Sequence, residues 1–208
     1  MKSVYYKGVE FFIIFILLPI SFAIDYNNKI KMIIGSVGFL YVIYVLLKVE
    51  NKKIRVGSNF KWKLFFKQTL IKLFAIIVIT TFYVFITNKE ALFNILLTKP
   101  KFWLFILFFY SVFSVYPQEL IYRTFYFQRY SSLFKSKNVF LFVNAIVFSL
   151  GHLFFRNPLV MVLTFLGGLL FAITYNKTQS TLLVTIEHAI YGCWLFTVGM
   201  GAMLGFPA

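Results

Sequence analysis

Seven apolar runs separated by short polar or basic breaks dominate the pattern of this chain. They extend from Val9 to Ile24, Ile33 to Leu47, Thr69 to Thr87, Phe102 to Phe127, Val139 to Phe155, Pro158 to Tyr175 and Thr181 to Met200. A helix rises ~1.5 Å per residue, so about 20 apolar residues cross a ~30 Å hydrocarbon layer, fewer where flanking lysines snorkel. The runs therefore predict an all-α, polytopic integral membrane helical bundle, a single membrane domain over residues 1–208. The fourth run decides the count. Phe102 to Tyr116 alone would rise only ~22 Å, whereas continuation through Pro117 to Phe127 gives a kinked crossing of ample length. A break at Pro117 would make eight transmembrane helices instead of seven.

Loop charge favours seven. The segment Lys48 to Lys67 carries Lys48, Lys52, Lys53, Arg55, Lys61, Lys63 and Lys67 against Glu50, the signature of a cytoplasmic loop. Its Phe60, Trp62, Phe65 and Phe66 would lie at the headgroup boundary. With that loop inside, the N-terminus is cytoplasmic and Lys89 to Lys101 faces outward. One fourth crossing then returns Arg129, Lys135 and Lys137 to the cytoplasm, while two crossings would leave them outside. Lys2 and Lys7 precede the first run, and Ser21-Phe22-Ala23 has the small-x-small pattern of a cleaved leader. Further membrane segments follow at once, so the run reads as a first span. The expected location is a bacterial inner (cytoplasmic) membrane.

Composition agrees. The 208 residues are 61% hydrophobic and 22% aromatic, more apolar surface than a soluble domain of this size hides, so the lipid bilayer is the main partner. The net charge of +15 sits between the apolar runs, as loops facing anionic lipid require, which argues against nucleic acid as a partner. Cys193 is the only cysteine, which excludes an intrachain disulfide, and it reads as a small buried hydrophobe.

Candidate chemistry lies in the exceptions to this greasy pattern. Only six residues are acidic, and Glu119 and Glu187 fall at membrane depth together with both histidines, His152 and His188. Each ionisable group in hydrocarbon costs roughly 2.5–3.5 kcal/mol on lenient scales, so it calls for a partner or a polar cavity. Glu119 and Arg123 stand four apart, share a helix face and can pair. Gln118 can hydrogen-bond but cannot move a proton. Gly151, beside His152, permits close backbone approach. Glu187 reads as structural, pairing with Arg156 or snorkelling. Two chemistries fit this set. A histidine with a carboxylate can orient and deprotonate water for hydrolysis. Alternatively His152, His188 and Glu119 would supply three zinc ligands and leave a fourth position for water, although no His-Glu-x-x-His spacing supports it. A small transporter or proton relay is a further reading of the same groups.

At these residues the chain resembles the intramembrane CAAX-protease and bacteriocin-processing family, whose prenyl-protein endopeptidases are glutamate-dependent. Gln118-Glu119-Leu120-Ile121-Tyr122-Arg123 matches its Glu-Glu-x-x-x-Arg motif at the second and last key positions. Phe148 to His152 meets Phe-x-x-x-His in full, and His188 begins His-x-x-x-Asn/Asp but reaches Gly192. The resemblance covers roughly residues 102–200, the expected catalytic core. It implies hydrolysis of a membrane-associated peptide, prenylated or not, by activated water, and no cofactor is expected. The family's base is the first Glu, a position held here by Gln118, which cannot serve as a base; in an active member Glu119 would take over that role together with His152. Arg123 would hold the Glu119 helix, His188 would stabilise the oxyanion, and Gln118 would hydrogen-bond substrate or water. The departures at Gln118 and Gly192 keep open a catalytically silent member that binds a membrane partner, as in bacteriocin immunity.

Overall fold

The computed structural model describes residues 3–49 and 62–205. Most of the expected cytoplasmic segment, including Lys52, Lys53, Arg55, Phe60 and Lys61, lies outside the described residues. Among the described residues every regular element is a helix, and seven are long and apolar enough to cross a membrane: α1 (Val4–Ala23), α2 (Asn28–Lys48), α3 (Trp62–Thr87), α4 (Pro100–Leu133), α5 (Lys137–Phe155), α6 (Pro158–Thr178) and α7 (Thr181–Val198). The protein is an integral membrane protein.

The first three of these helices begin five to seven residues before the apolar run that predicts them, and the last four begin on their run or two residues before it; caps mark the starts of α2 and α6. The Asn27 side chain accepts from the Lys29 amide at 2.9 Å to open α2. Asn157 accepts from the Leu159 amide at 2.9 Å with Pro158 at the first helical position of α6. The fourth run is a single helix. Wide π turns at Tyr110–Val115 and Leu120–Phe125 flank the short α segment that holds Pro117. A proline supplies no N–H and its ring crowds the preceding turn, and wider turns accommodate both without breaking the helix.

The chain divides into two compact units. The first contains residues 3–49 and 118–181, that is α1, α2, the C-terminal part of α4, α5 and α6. Polar contacts fasten α1 at both ends. Near its start Glu10, only 6% exposed, is bracketed by Arg129 of α4, with Nε to Oε2 at 2.7 Å and Nη2 to Oε1 at 3.2 Å. The Tyr130 hydroxyl donates to the same carboxylate at 3.2 Å, and Tyr41 of α2 donates to it too. Arg129 is thus buried in the last turns of α4, whereas loop charge assigned it to a solvated segment. A fully paired carboxylate makes that burial tolerable. Past the other end of α1, Arg156 adopts a left-handed conformation with φ of 52°. It donates to Asp25 at 2.6 Å and to the Ala23 carbonyl at 2.7 Å. Close packing of α5 on α6 depends on Gly168, where a Cβ would stand 3.1 Å from the Ala145 Cα.

The Arg156 hydrogen bond and charge hold the Asp25 carboxyl below its ordinary value of 3.8. A depressed folded pKa contributes stability that is complete above the unfolded value and vanishes as pH falls through the folded one. The Asp25→Asn protein should therefore lose thermal midpoint less steeply than wild type as pH drops below about 4, with the difference between the two constant from there to neutrality. Melting curves across that range check the sign.

The second unit contains residues 62–117 and 182–205, that is α3, the N-terminal part of α4 and α7. Ile95, Ile106, Tyr110, Val115 and Phe196 form its apolar core. Glu187 is fully buried and pairs with Lys72 of α3, and the Tyr191 hydroxyl lies 2.9 Å from the same carboxylate oxygen. The expected partner, Arg156, is committed to Asp25, and Lys72 takes its place. Indole donors add further ties, Trp194 to Thr80 at 2.8 Å and Trp103 to Thr197 at 3.0 Å.

Candidate active site

The first motif lies where α4 passes through its second π turn. Glu119 and Arg123 both have 0% exposure, and Arg123 Nε stands 3.3 Å from Glu119 Oε2. The pairing expected from their spacing is therefore formed, in a wholly buried setting. The guanidinium carbon of Arg123 also lies 4.6 Å from the centre of the Phe148 ring and 5.7 Å from that of Phe171. Stacking of this kind offsets part of the cost of a desolvated cation. Gln118, half-buried, directly precedes Glu119.

Phe148 gives the second motif its physical sense. One face supports Arg123, and its ring meets the His152 imidazole in an edge arrangement with centroids 4.8 Å apart. His152 sits just past the last α-helical residue of α5, Leu150, and its Nδ1 is 2.8 Å from the Phe148 carbonyl oxygen. A carbonyl only accepts, so Nδ1 carries the proton and Nε2 of the neutral ring is the basic nitrogen. Gly151 is required for a specific reason: a Cβ there would come within 2.1 Å of the Tyr122 hydroxyl oxygen. Asn144, fully buried in α5, donates from Nδ2 to the Tyr122 carbonyl at 2.6 Å and so satisfies an oxygen within the π turn.

The third motif belongs to the second unit. His188 is 6% exposed, and its Nε2 is 3.2 Å from the hydroxyl of Tyr110. At Gly192, one turn further along α7, a Cβ would lie 2.1 Å from the Tyr110 Oη and 2.4 Å from its Cε1. The space that a side chain at 192 would use is filled by a phenol from α4.

Of the residues expected from sequence, Glu119, Arg123 and His152 are joined through Phe148 in the first unit, with Gln118 next to Glu119 along the chain. His188 forms its own cluster with Tyr110 in the second. Sequence reasoning passed over Tyr110, Tyr122 and Asn144. Their only signal was a hydrogen-bonding group in an apolar span, which a chain with 13 tyrosines repeats too often to single out. Among the described residues no three His, Cys, Asp or Glu side chains cluster as a metal would require.

Residues 100–194 match the family model described as Type II CAAX prenyl endopeptidase Rce1-like. The match contains all three motif segments and agrees with the family that they resemble. No curated protein and no solved structure matches the chain.

Proposed function

We propose, from the Rce1-like CAAX endopeptidase domain of residues 100–194, that this protein hydrolyses a membrane-associated, prenylated peptide with water activated by Glu119 and His152. The observation that carries the reading is the buried Glu119–Arg123 pair, bridged by Phe148 to a histidine whose basic nitrogen is Nε2. A structural ion pair alone would not call for that histidine. Gln118 cannot accept a proton at the family's first position, which leaves Glu119 as the carboxylate of the motif.

In this mechanism the Glu119 carboxylate takes a proton from water while His152 Nε2 orients it by accepting its second hydrogen. The water oxygen attacks the scissile carbonyl carbon, and the carbonyl electrons move onto oxygen. On the motif alone, His188 is the donor to that oxyanion. The electrons return as the C–N bond breaks, and the proton held by Glu119 passes to the departing amine. Arg123 keeps the carboxylate in place, and Gln118 supplies a hydrogen bond to water or substrate. The membrane presents the lipidated peptide, and loop charge puts the N-terminus in the cytoplasm.

The test uses purified protein in vesicles and a fluorogenic farnesylated C-terminal peptide, with the cleaved bond identified by mass spectrometry. Wild type is expected to cleave it, and His152→Ala to be slower by roughly a hundredfold, the lower range for a lost acid–base group. Unchanged cleavage in His152→Ala overturns this mechanism. Gln118→Glu separates the silent alternative: activity in that variant and none in wild type would reveal a dormant site.

A further inference from the structure

The geometry points to Tyr110 as the positioning residue of His188, its phenol taking over from the side chain that the third motif lacks at Gly192. The proposal deepens the protease reading and rests on it for its catalytic consequence, though not for its structural one. Position 192 lies one helical turn beyond His188 on the same face, where an amide or acid could hold the imidazole. Gly192 offers no such group. The Tyr110 hydroxyl stands 2.1 Å from where that group's Cβ would be, and 3.2 Å from His188 Nε2. The substitution crosses helices: what α7 omits, α4 supplies.

Three features hold the phenol there. Phe196 packs edge-on against its ring with centroids 4.9 Å apart, and Ile106 and Val115 share the surrounding core. Tyr110 opens the π turn Tyr110–Val115, a rare geometry that re-aims side chains and concentrates at functional sites. Both Tyr110 and His188 are buried, at 9% and 6% exposure, so water does not readily replace their hydrogen bond. A phenol is a good donor and a neutral imidazole nitrogen a good acceptor. In this arrangement Tyr110 is assigned as the donor to Nε2, which puts the proton of a neutral His188 ring on Nδ1 and makes Nδ1 its donor nitrogen.

The chain has only two histidines, so a protein labelled with ¹⁵N-histidine shows two imidazoles, and the His152→Gln protein assigns them. Wild type is expected to show His188 as the Nδ1–H tautomer, and Tyr110→Phe to shift it towards the Nε2–H form that predominates in free histidine. In the peptide assay Tyr110→Phe should lose roughly tenfold in kcat, the value of one neutral hydrogen bond, with KM within about twofold of wild type. The decisive swap is Tyr110→Ala with Gly192→Asn, which clears the ring and installs an amide. It should regain most of the activity lost in Tyr110→Ala, whereas Gly192→Asn alone, still facing the ring, should not be active. An unchanged His188 tautomer in Tyr110→Phe overturns the proposal, as does a double variant no more active than Tyr110→Ala. The spectrum needs no turnover. An inactive wild type would therefore count against the protease reading and leave the spectral comparison to decide the role of Tyr110.

Discussion

Exchanging Glu119 for glutamine is expected to slow peptide hydrolysis by roughly 10²–10⁴-fold, the contribution usual for a positioned acid–base group. The variant keeps the shape of the side chain and an oxygen that can accept from Arg123, but it cannot take a proton from water. Its neighbour Gln118 is already an amide, so no carboxylate remains in the first motif. The replacement keeps the shape of the side chain but leaves the buried Arg123 charge without its counter-ion, so the thermal midpoint has to be read beside the activity. The measurement is kcat for the prenylated peptide together with the thermal midpoint in detergent. A folded Glu119→Gln protein that retains more than about a tenth of wild-type kcat would remove Glu119 from the chemistry.

Arg123→Met should have the largest effect on stability. Removing one member of a buried ion pair leaves the other charge uncompensated, a loss of about 3–5 kcal/mol. Here both members have 0% exposure, so solvent cannot screen the orphan. The stacking of the guanidinium on Phe148 and Phe171 is lost as well, although methionine restores part of the contact. Adding Glu119→Gln to Arg123→Met removes the stranded charge and should recover most of the stability with none of the activity. Reversible denaturation of the four proteins forms a double-mutant cycle whose coupling term isolates the pair. A single Arg123→Met variant as stable as wild type would show that the pair contributes specificity without stability.

Glu119 with Arg123 was legible from sequence because helical periodicity brings residues four apart together whatever surrounds them. Phe-x-x-x-His was legible as a spacing, but its aromatic position had no stated purpose. The packed structure supplies one, since Phe148 touches Arg123 and His152 at once. Glu10 and Lys72 drew no attention, near a chain end and within a basic helix start, yet both are partners in ion pairs. The Glu187 partner was misassigned for the same reason: several cations lay within reach on paper.

By itself the sequence determined the solvent of the protein, the helical class, seven helices long and apolar enough to cross a membrane, and the three motif segments that the family model contains. Hydrocarbon thickness sets the length of a span, the cost of exposed peptide groups enforces helix, and both constraints act locally along the chain. The tertiary structure decided which charge meets which, that Pro117 sits between π turns without a break, and that a tyrosine on α4 fills the gap at Gly192. Those outcomes depend on neighbours tens of residues away, among helices of nearly uniform hydrophobicity. With so many apolar faces alike, pairing is selected by a handful of buried polar groups that must each find a partner once water is excluded.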